Sequence, residues 1–192
     1  ATGSTATVGH GLGASPDLIL AKTSNQAYNW IAYSSALGSS TQLLLDSSNA
    51  AQTGSSIMAS TDPTSTVFTA GAGNNLNYAN GNTIIAYCFT SIPGYSKTGS
   101  YIGTSSAGNF QYTGFEPSWL MVKCSSVGGR PWVMFDNKRM SGSDHYELYA
   151  DLPNAESPAY PDIVFNSNGW TAGTNASGSN RSGDTYIFLA IA

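Results

Sequence analysis

Charge is scarce in this sequence. Lys and Arg number 7 and Asp and Glu 11, so 9% of the 192 residues are charged against about a quarter in ordinary globular domains; Gly, Ser, Thr and Asn fill the polar positions. A net charge of −4 with so few cations offers no electrostatic footprint for a phosphate backbone, so nucleic acid and anionic membranes are not expected partners. Cysteine is nearly absent too. Cys88 and Cys124 exclude a disulfide framework, and with only His10 and His145 beside them they make a poor zinc set, so two buried free thiols are expected and no metal or cofactor. No stretch reaches the roughly 18 apolar residues of a membrane helix, so no membrane insertion is expected; the first residues lack the basic start and apolar segment of a signal peptide, leaving the export route unseen. Neutral polar surfaces of this kind suit secreted or particle-borne proteins.

What is present, with 41% apolar residues, is enough for a sizeable core. Two uncharged runs stand out, Ile84 to Phe89 and Tyr186 to Ala192, each introduced by Gly, a polar residue and Thr. A strand packed on both faces is apolar throughout instead of alternating, so both runs read as central strands. Thr83 and Thr185 are 102 positions apart (185 less 83), as are Trp30 and Trp132 (132 less 30), and Pro16 and Lys22 fall on Pro117 and Lys123. Loops of unrelated origin would not keep that spacing, and the reading is an internal duplication. Residues 1–9 are then a connector, 10–93 the first repeat, 94–111 an inter-repeat segment and 112–192 the second repeat. The strands of one copy are expected to pair with the other's in one compact pseudo-symmetric body.

Short strand candidates with turn residues every 8 to 12 positions and no amphipathic helix argue an all-β fold, an antiparallel β-sandwich of jelly-roll or concanavalin-like type, built from two repeats of about 100 residues. Asn168 with Gly169 is the strongest hairpin-turn signal, since both tolerate positive φ. His10 to Pro16 carries glycines in a Gly-x-Gly pattern, but a strand follows where phosphate binding needs a helix, so this is a turn.

Charge concentrates in the second copy, where Asp136, Asn137, Lys138, Arg139, Asp144, His145, Glu147, Asp151, Asn154 and Glu156 fall in one loop-rich segment. Planar Asn, Asp and Arg groups can hydrogen-bond sugar hydroxyls, which makes Asp136, Asn137, Arg139, Asn154 and Glu156 candidate glycan contacts; the other reading is a solvated loop whose charges pair with one another. The same acids lack the spacing of an EF-hand. Of the four tryptophans, three recur at strand positions as core residues, and Trp170 is the one expected near the surface, a sixth candidate contact. Tyr95, Tyr101, Tyr112, Tyr146, Tyr149 and Tyr160 fall in loops or edge segments, where amphipathic rings suit recognition. No Gly-x-Ser-x-Gly elbow occurs, a triad would need His10 or His145, and Glu147 with Asp151 or Glu156 would need a fixed separation across a cleft, so the chain is not read as an enzyme. Asn175 to Ser177 and Asn180 to Ser182 match the N-glycosylation pattern.

Gly11, Leu12, Gly13, Pro16, Leu18, Ile19 and Lys22, then Gly94 to Lys97, Gly99 to Tyr101 and Tyr112 to Phe115 follow a pattern that continues through Trp119 to Lys123, Trp132 to Arg139, Leu152 to Glu156, Ser167 to Trp170 and Ser182 to Ile187. This set resembles a duplicated domain of bacteriophage tail-fibre and related virion proteins of marine-phage type, similar to laminin-G or concanavalin-like sandwiches, and covers nearly the whole chain. Arg130 and Pro131 depart from it, standing where the family more often carries Ser or Thr. The resemblance implies a virion location, other virion chains as partners and a homo-oligomer, a trimer if a fibre. It favours a fibre module that recognises bacterial surface glycan; the alternatives are a structural capsid or tail decoration protein and, last, a glycan-degrading enzyme.

Overall fold

The computed structural model describes residues 1–53, 58–72, 76–141, 144–158, 163–174 and 178–192, with the backbone alone at 140–141, 144–145 and 157–158. The protein is all-β, every strand ladder is antiparallel, and the described residues contain no helix. The chain divides into two compact units, one of residues 1–46 and 51–90, the other of residues 47–50 and 91–192.

The first unit holds β1 (Ala6–Gly9), β2 (Leu18–Thr23), β3 (Ile31–Ser34), β4 (Thr41–Leu44), β5 (Gln52–Thr53), β6 (Val67–Ala70) and β7 (Ile84–Phe89). One sheet runs β5-β4-β3-β2-β7, and β1 pairs separately with β6. Side chains from both meet in one core: Ile19, Ala21, Ile31, Tyr33 and Leu44 from the larger sheet, Phe68 and Ala70 from β6, with Met58 and Leu76 from loops. Period-two alternation explains the sorting, since Ile19 and Ala21 point inward while Leu20 and Lys22 stay only half-buried. The first nine residues, expected as a connector, contribute β1.

The second unit holds β8 (Ser96–Ile102), β9 (Asn109–Tyr112), β10 (Trp119–Cys124), β11 (Trp132–Asp136), β12 (Met140–Ser141), β13 (Asp144–Tyr149), β14 (Ser157–Pro158), β15 (Ile163–Asn166), β16 (Gly169–Ala172) and β17 (Thr185–Ile191). A larger sheet runs β12-β13-β11-β10-β17-β8, with β14 on β13, and a smaller one runs β15-β16-β9. Leu120, Val122, Phe135, Tyr186 and Phe188 from the first meet Ile163, Trp170 and Ala172 from the second in a single core.

Every strand ladder among the described residues lies within one unit, so the two halves do not exchange strands as expected. Several pairings have counterparts in both units. Leu18 pairs with Ser34 and Phe89 as Trp119 pairs with Asp136 and Ile191, and Gly9 opposes Val67 as Tyr112 opposes Gly169. The two apolar runs differ in place. β17 is central and buried through its middle, but β7 is an edge strand of its sheet and only half-buried on its inward face, which corrects the reading of both as central. The expected Asn168–Gly169 turn is displaced by one residue. Ser167 and Asn168 make the turn and Gly169 already pairs in β16; no residue there has positive φ.

Candidate functional site

Asp136 ends β11, and the three residues after it fold back over its carboxylate. The Lys138 and Arg139 backbone N–H groups donate to Oδ1 at 3.0 and 2.9 Å, Arg139 Nε donates to Oδ2 at 2.6 Å, and Arg139 Nη2 stands 2.5 Å from Oδ2. Burial alone would raise this carboxyl, but those hydrogen bonds and the guanidinium charge outweigh it and hold Asp136 below its ordinary 3.8. Arg139 reaches on to Glu156, Nη1 to Oε2 at 3.5 Å. Asn137 is tied to Ser118, its N–H to the carbonyl at 3.0 Å and its Nδ2 to Oγ at 3.2 Å.

The structure therefore gathers Asp136, Arg139 and Glu156 into one network, with Asp136 and Asn137 consumed in shaping the loop. Only Glu156 and Asn154 stand exposed, with Arg139 half-buried between acids. Trp170 does not join them. Expected near the surface, it is 0% exposed, its ring set edge-on to Tyr101 at 5.2 Å and Phe188 at 5.4 Å. The cause is alternation: Trp170 lies on the inward face of β16, one residue after Gly169, and a turn placed one position too late reverses which side faces solvent.

Other sequence candidates resolve similarly. Among the tyrosines Tyr101 is buried, Tyr95 and Tyr112 are exposed, and Tyr160 falls outside the described residues. Asn175 to Ser177 is also outside them, whereas Asn180 is fully buried and is a structural hub, not a surface acceptor. Both cysteines are free; Cys124 is buried as expected and Cys88 only half-buried. His10 Nε2 lies 3.1 Å from the Thr64 carbonyl, and the side chain of His145 is not described. Glu147 accepts from Tyr149 Oη, and Asp151 Oδ1 accepts from the Trp132 N–H at 2.9 Å, so these carboxylates hold local structure. Arg130 closes over Lys123: its carbonyl accepts from Lys123 Nζ at 2.5 Å and its N–H donates to the Ser48 carbonyl at 3.2 Å.

A further exposed grouping in the second unit is one the charged residues did not point to. On the small sheet, Val164, Thr171 and Phe110 oppose one another in register, as do Asn166, Gly169 and Tyr112, so these six share a face. Phe110 is 43% and Tyr112 65% exposed, and Val164 is exposed beside them. Gly169 makes this possible, because a Cβ there would lie 2.8 Å from Phe110 Cζ and 2.2 Å from the Gln111 carbonyl oxygen. Asn166 Nδ2 donates to Thr171 Oγ1 at 2.9 Å and to the Val164 carbonyl at 3.1 Å. Tyr112 also borders a cleft of about 330 Å³ shared with Ile92, Lys97 and Thr113. The signal was present in Asn109-Phe110-Gln111-Tyr112, polar and aromatic by turns, a half-exposed strand with both rings on one side.

Among the described residues no group of His, Cys, Asp or Glu is arranged to hold a metal, and no helix is long and apolar enough to cross a membrane. No curated protein and no protein of solved structure matches the chain. A family model described as a domain of unknown function, DUF7483, matches residues 1–192, and the chain therefore belongs to the DUF7483 family.

Proposed function

We propose that the chain is a bacteriophage virion protein, a tail-fibre module that recognises a host surface glycan through the outer face of β9, β16 and β15. The observation that carries the reading is the pair Phe110 and Tyr112, two exposed rings two residues apart on one strand. Such rings offer apolar area to the C–H face of a sugar, while Asn166, Thr171 and Lys97 nearby supply polar groups for its hydroxyls. Low charge fits a neutral polysaccharide, and the virion placement rests on the resemblance described above. Arg139, Asn154 and Glu156 form a second, charged contact region suited to an acidic or amidated sugar. In this reading the chain assembles as a homo-oligomer, a trimer if in a fibre, with other virion chains.

We also infer that the two units are one β-sandwich used twice. The support is residue-level: Lys22 Nζ donates to the Tyr28 carbonyl at 2.5 Å as Lys123 Nζ does to that of Arg130, and several ladder pairings have counterparts in both units.

The apolar share of the Phe110, Tyr112 and Val164 face favours a second reading, in which it packs on another virion chain as part of a decoration protein. Binding of the isolated chain to a panel of host-type surface polysaccharides separates the two. The Phe110→Ala, Tyr112→Ala double variant is expected to lose about tenfold or more in affinity, with no new reducing ends released by the wild type. Loss confined to Arg139→Ala and Glu156→Ala would move the site to the charged region, and no binding to any intact surface material would leave the structural role.

A further inference from the structure

In the second unit, β8 pairs with β17 along its full length, from Thr185 opposite Ile102 to Ile191 opposite Ser96. It also closes the core. Tyr101 turns inward from β8, stacks on Tyr186 at 5.1 Å and donates its hydroxyl to the Ser179 carbonyl. Beneath this cover the inward residues of β17, Tyr186, Phe188 and Ala190, are all buried.

Among the described residues the first unit shows no such strand. β7 pairs with β2 on one side, and no ladder covers its other edge among the described residues. Its inward residues Ile84, Ala86 and Cys88 pack on the core yet remain half-buried, and its outward Ile85 and Tyr87 are exposed. Between β7 and the β1–β6 pair runs an open cleft, about 410 Å³ at one end and about 270 Å³ at the other, both ends bordered by Val8 and Ile84. Phe68, Ala70, Ala86 and Cys88 give the cleft an apolar side, while Thr7, Asn77, Asn82 and Thr83 make one end of it polar. An edge strand with an unpaired side, beside an open cleft with one apolar wall and polar groups at its end, is the arrangement that strand addition fills.

The backbone at Ala1 shows the direction from which the cleft is filled. Ala1 N donates to the Asn82 carbonyl at 2.5 Å, and Gly81 N–H donates to the Ala1 carbonyl at 3.4 Å. In the second unit Gly103 N–H donates to the Asp184 carbonyl at 2.8 Å, and Gly183 N–H to the Gly103 carbonyl at 3.0 Å. All three residues are displaced by the same 102 positions (103 less 1, 184 less 82, 183 less 81). Ala1 thus occupies the place of Gly103, the residue that directly follows β8.

We propose that the cleft along β7 is a strand-acceptor site, filled by extended polypeptide that enters Ala1 from its amino side as Ile102 enters Gly103. That strand runs antiparallel to β7 and turns one aromatic or large apolar side chain into the cleft opposite Ile84, where Tyr101 stands opposite Tyr186. A strand from a second copy or another chain is the competing occupant. The proposal does not depend on glycan recognition or on a virion location.

Cys88, half-buried in the cleft wall, is the reporter, and buried Cys124 is the internal reference. The rate of Cys88 modification by a thiol reagent is compared in the 192-residue chain, in the chain carrying the β8 sequence Ser-Lys-Thr-Gly-Ser-Tyr-Ile ahead of Ala1, and in that extension with its Tyr replaced by Ser. The Tyr extension is expected to slow Cys88 by about tenfold and raise the melting temperature, with the Ser extension giving the smaller effect. Cys88 equally reactive with and without the extension overturns the proposal. So does protection of Cys88 in the unextended chain that grows with protein concentration, since a second copy would then be the occupant.

Discussion

Asn77 and Asn180 do the same work in the two units. Asn180 is fully buried; its Oδ1 accepts from the Thr104 N–H at 2.9 Å and from Asn109 Nδ2 at 2.8 Å, while its Nδ2 donates to the Ser106 carbonyl at 2.9 Å and the Gly173 carbonyl at 2.5 Å. Asn77 accepts from the Thr2 N–H at 2.7 Å and the Gly3 N–H at 3.3 Å and donates to the carbonyls of Ser4 and Ala70. A side chain with two donors and two acceptor sites is saturated here, and removing it strands one buried carbonyl, Gly173 or Ala70, together with several part-buried partners. Asn180→Ala is expected to destabilise the second unit by about 3 kcal/mol, read as a lower urea midpoint. Lys123 carries a cost of the opposite kind. Burial pulls its pKa down from 10.5 to about 8, against upward pulls from Cys124 and Asp151. Between those values the unfolded chain holds a proton that the folded lysine has released, so stability rises with pH through the window and the cost of the buried ammonium stands in full below pH 8. From pH 7.5 to 9.5 the wild type should gain on the order of 2 kcal/mol relative to Lys123→Met; a difference that stays flat with pH would mean the lysine is solvated.

At the scale of strands, two glycines make room for a neighbouring strand of the same sheet. A Cβ on Gly169 would meet the Gln111 carbonyl oxygen at 2.2 Å, backbone that cannot move without breaking the β9–β16 ladder, whereas a Cβ on Gly99 would meet the ring of Phe188 at 2.7 Å, a side chain that can turn. Gly169→Ala is therefore expected to destabilise by roughly 2 kcal/mol or more and Gly99→Ala by less; equal midpoints for the two in urea would contradict that ordering. The strands themselves were legible. The apolar stretches at Leu18, Ile84, Trp119, Trp132 and Thr185 all form strands within a residue or two of their expected ends, because burial of a β-strand is written in its own side chains. What covers a strand is written elsewhere. Ile84–Phe89 and Thr185–Ile191 read alike, and only the presence of β8 makes one central and the other an edge. The candidate contacts divided on the same ground: Asp136 and Arg139 meet because they are three residues apart, and the chain brings Glu156 back to Arg139 after β12 and β13, while the facing of Trp170 depended on a turn one residue from where Asn168 and Gly169 suggested it.

Over the whole molecule the difference between β7 and β17 becomes a difference between units. Each has its own core, and the first has a lining of Ile84, Ala86 and Cys88 that water reaches, where the second has Tyr186, Phe188 and Ala190 sealed beneath β8. The first unit leaves Ile84, Ala86 and Cys88 half-buried, and among the described residues no ladder covers the outer edge of its sheet, so in the 192-residue chain it is the unit expected to open at lower free energy. Each unit carries one thiol, Cys88 in the first and Cys124 in the second, which lets the two be followed in one sample. In rising urea Cys88 should reach its unfolded rate of modification at a lower concentration than Cys124. The gap should widen in Asn77→Ala, whose lost hydrogen bonds belong to the first unit, and narrow in Asn180→Ala. Coincident transitions for the two thiols in all three proteins would mean that the chain unfolds as one cooperative body, and the open cleft would then cost the first unit nothing that the second does not share.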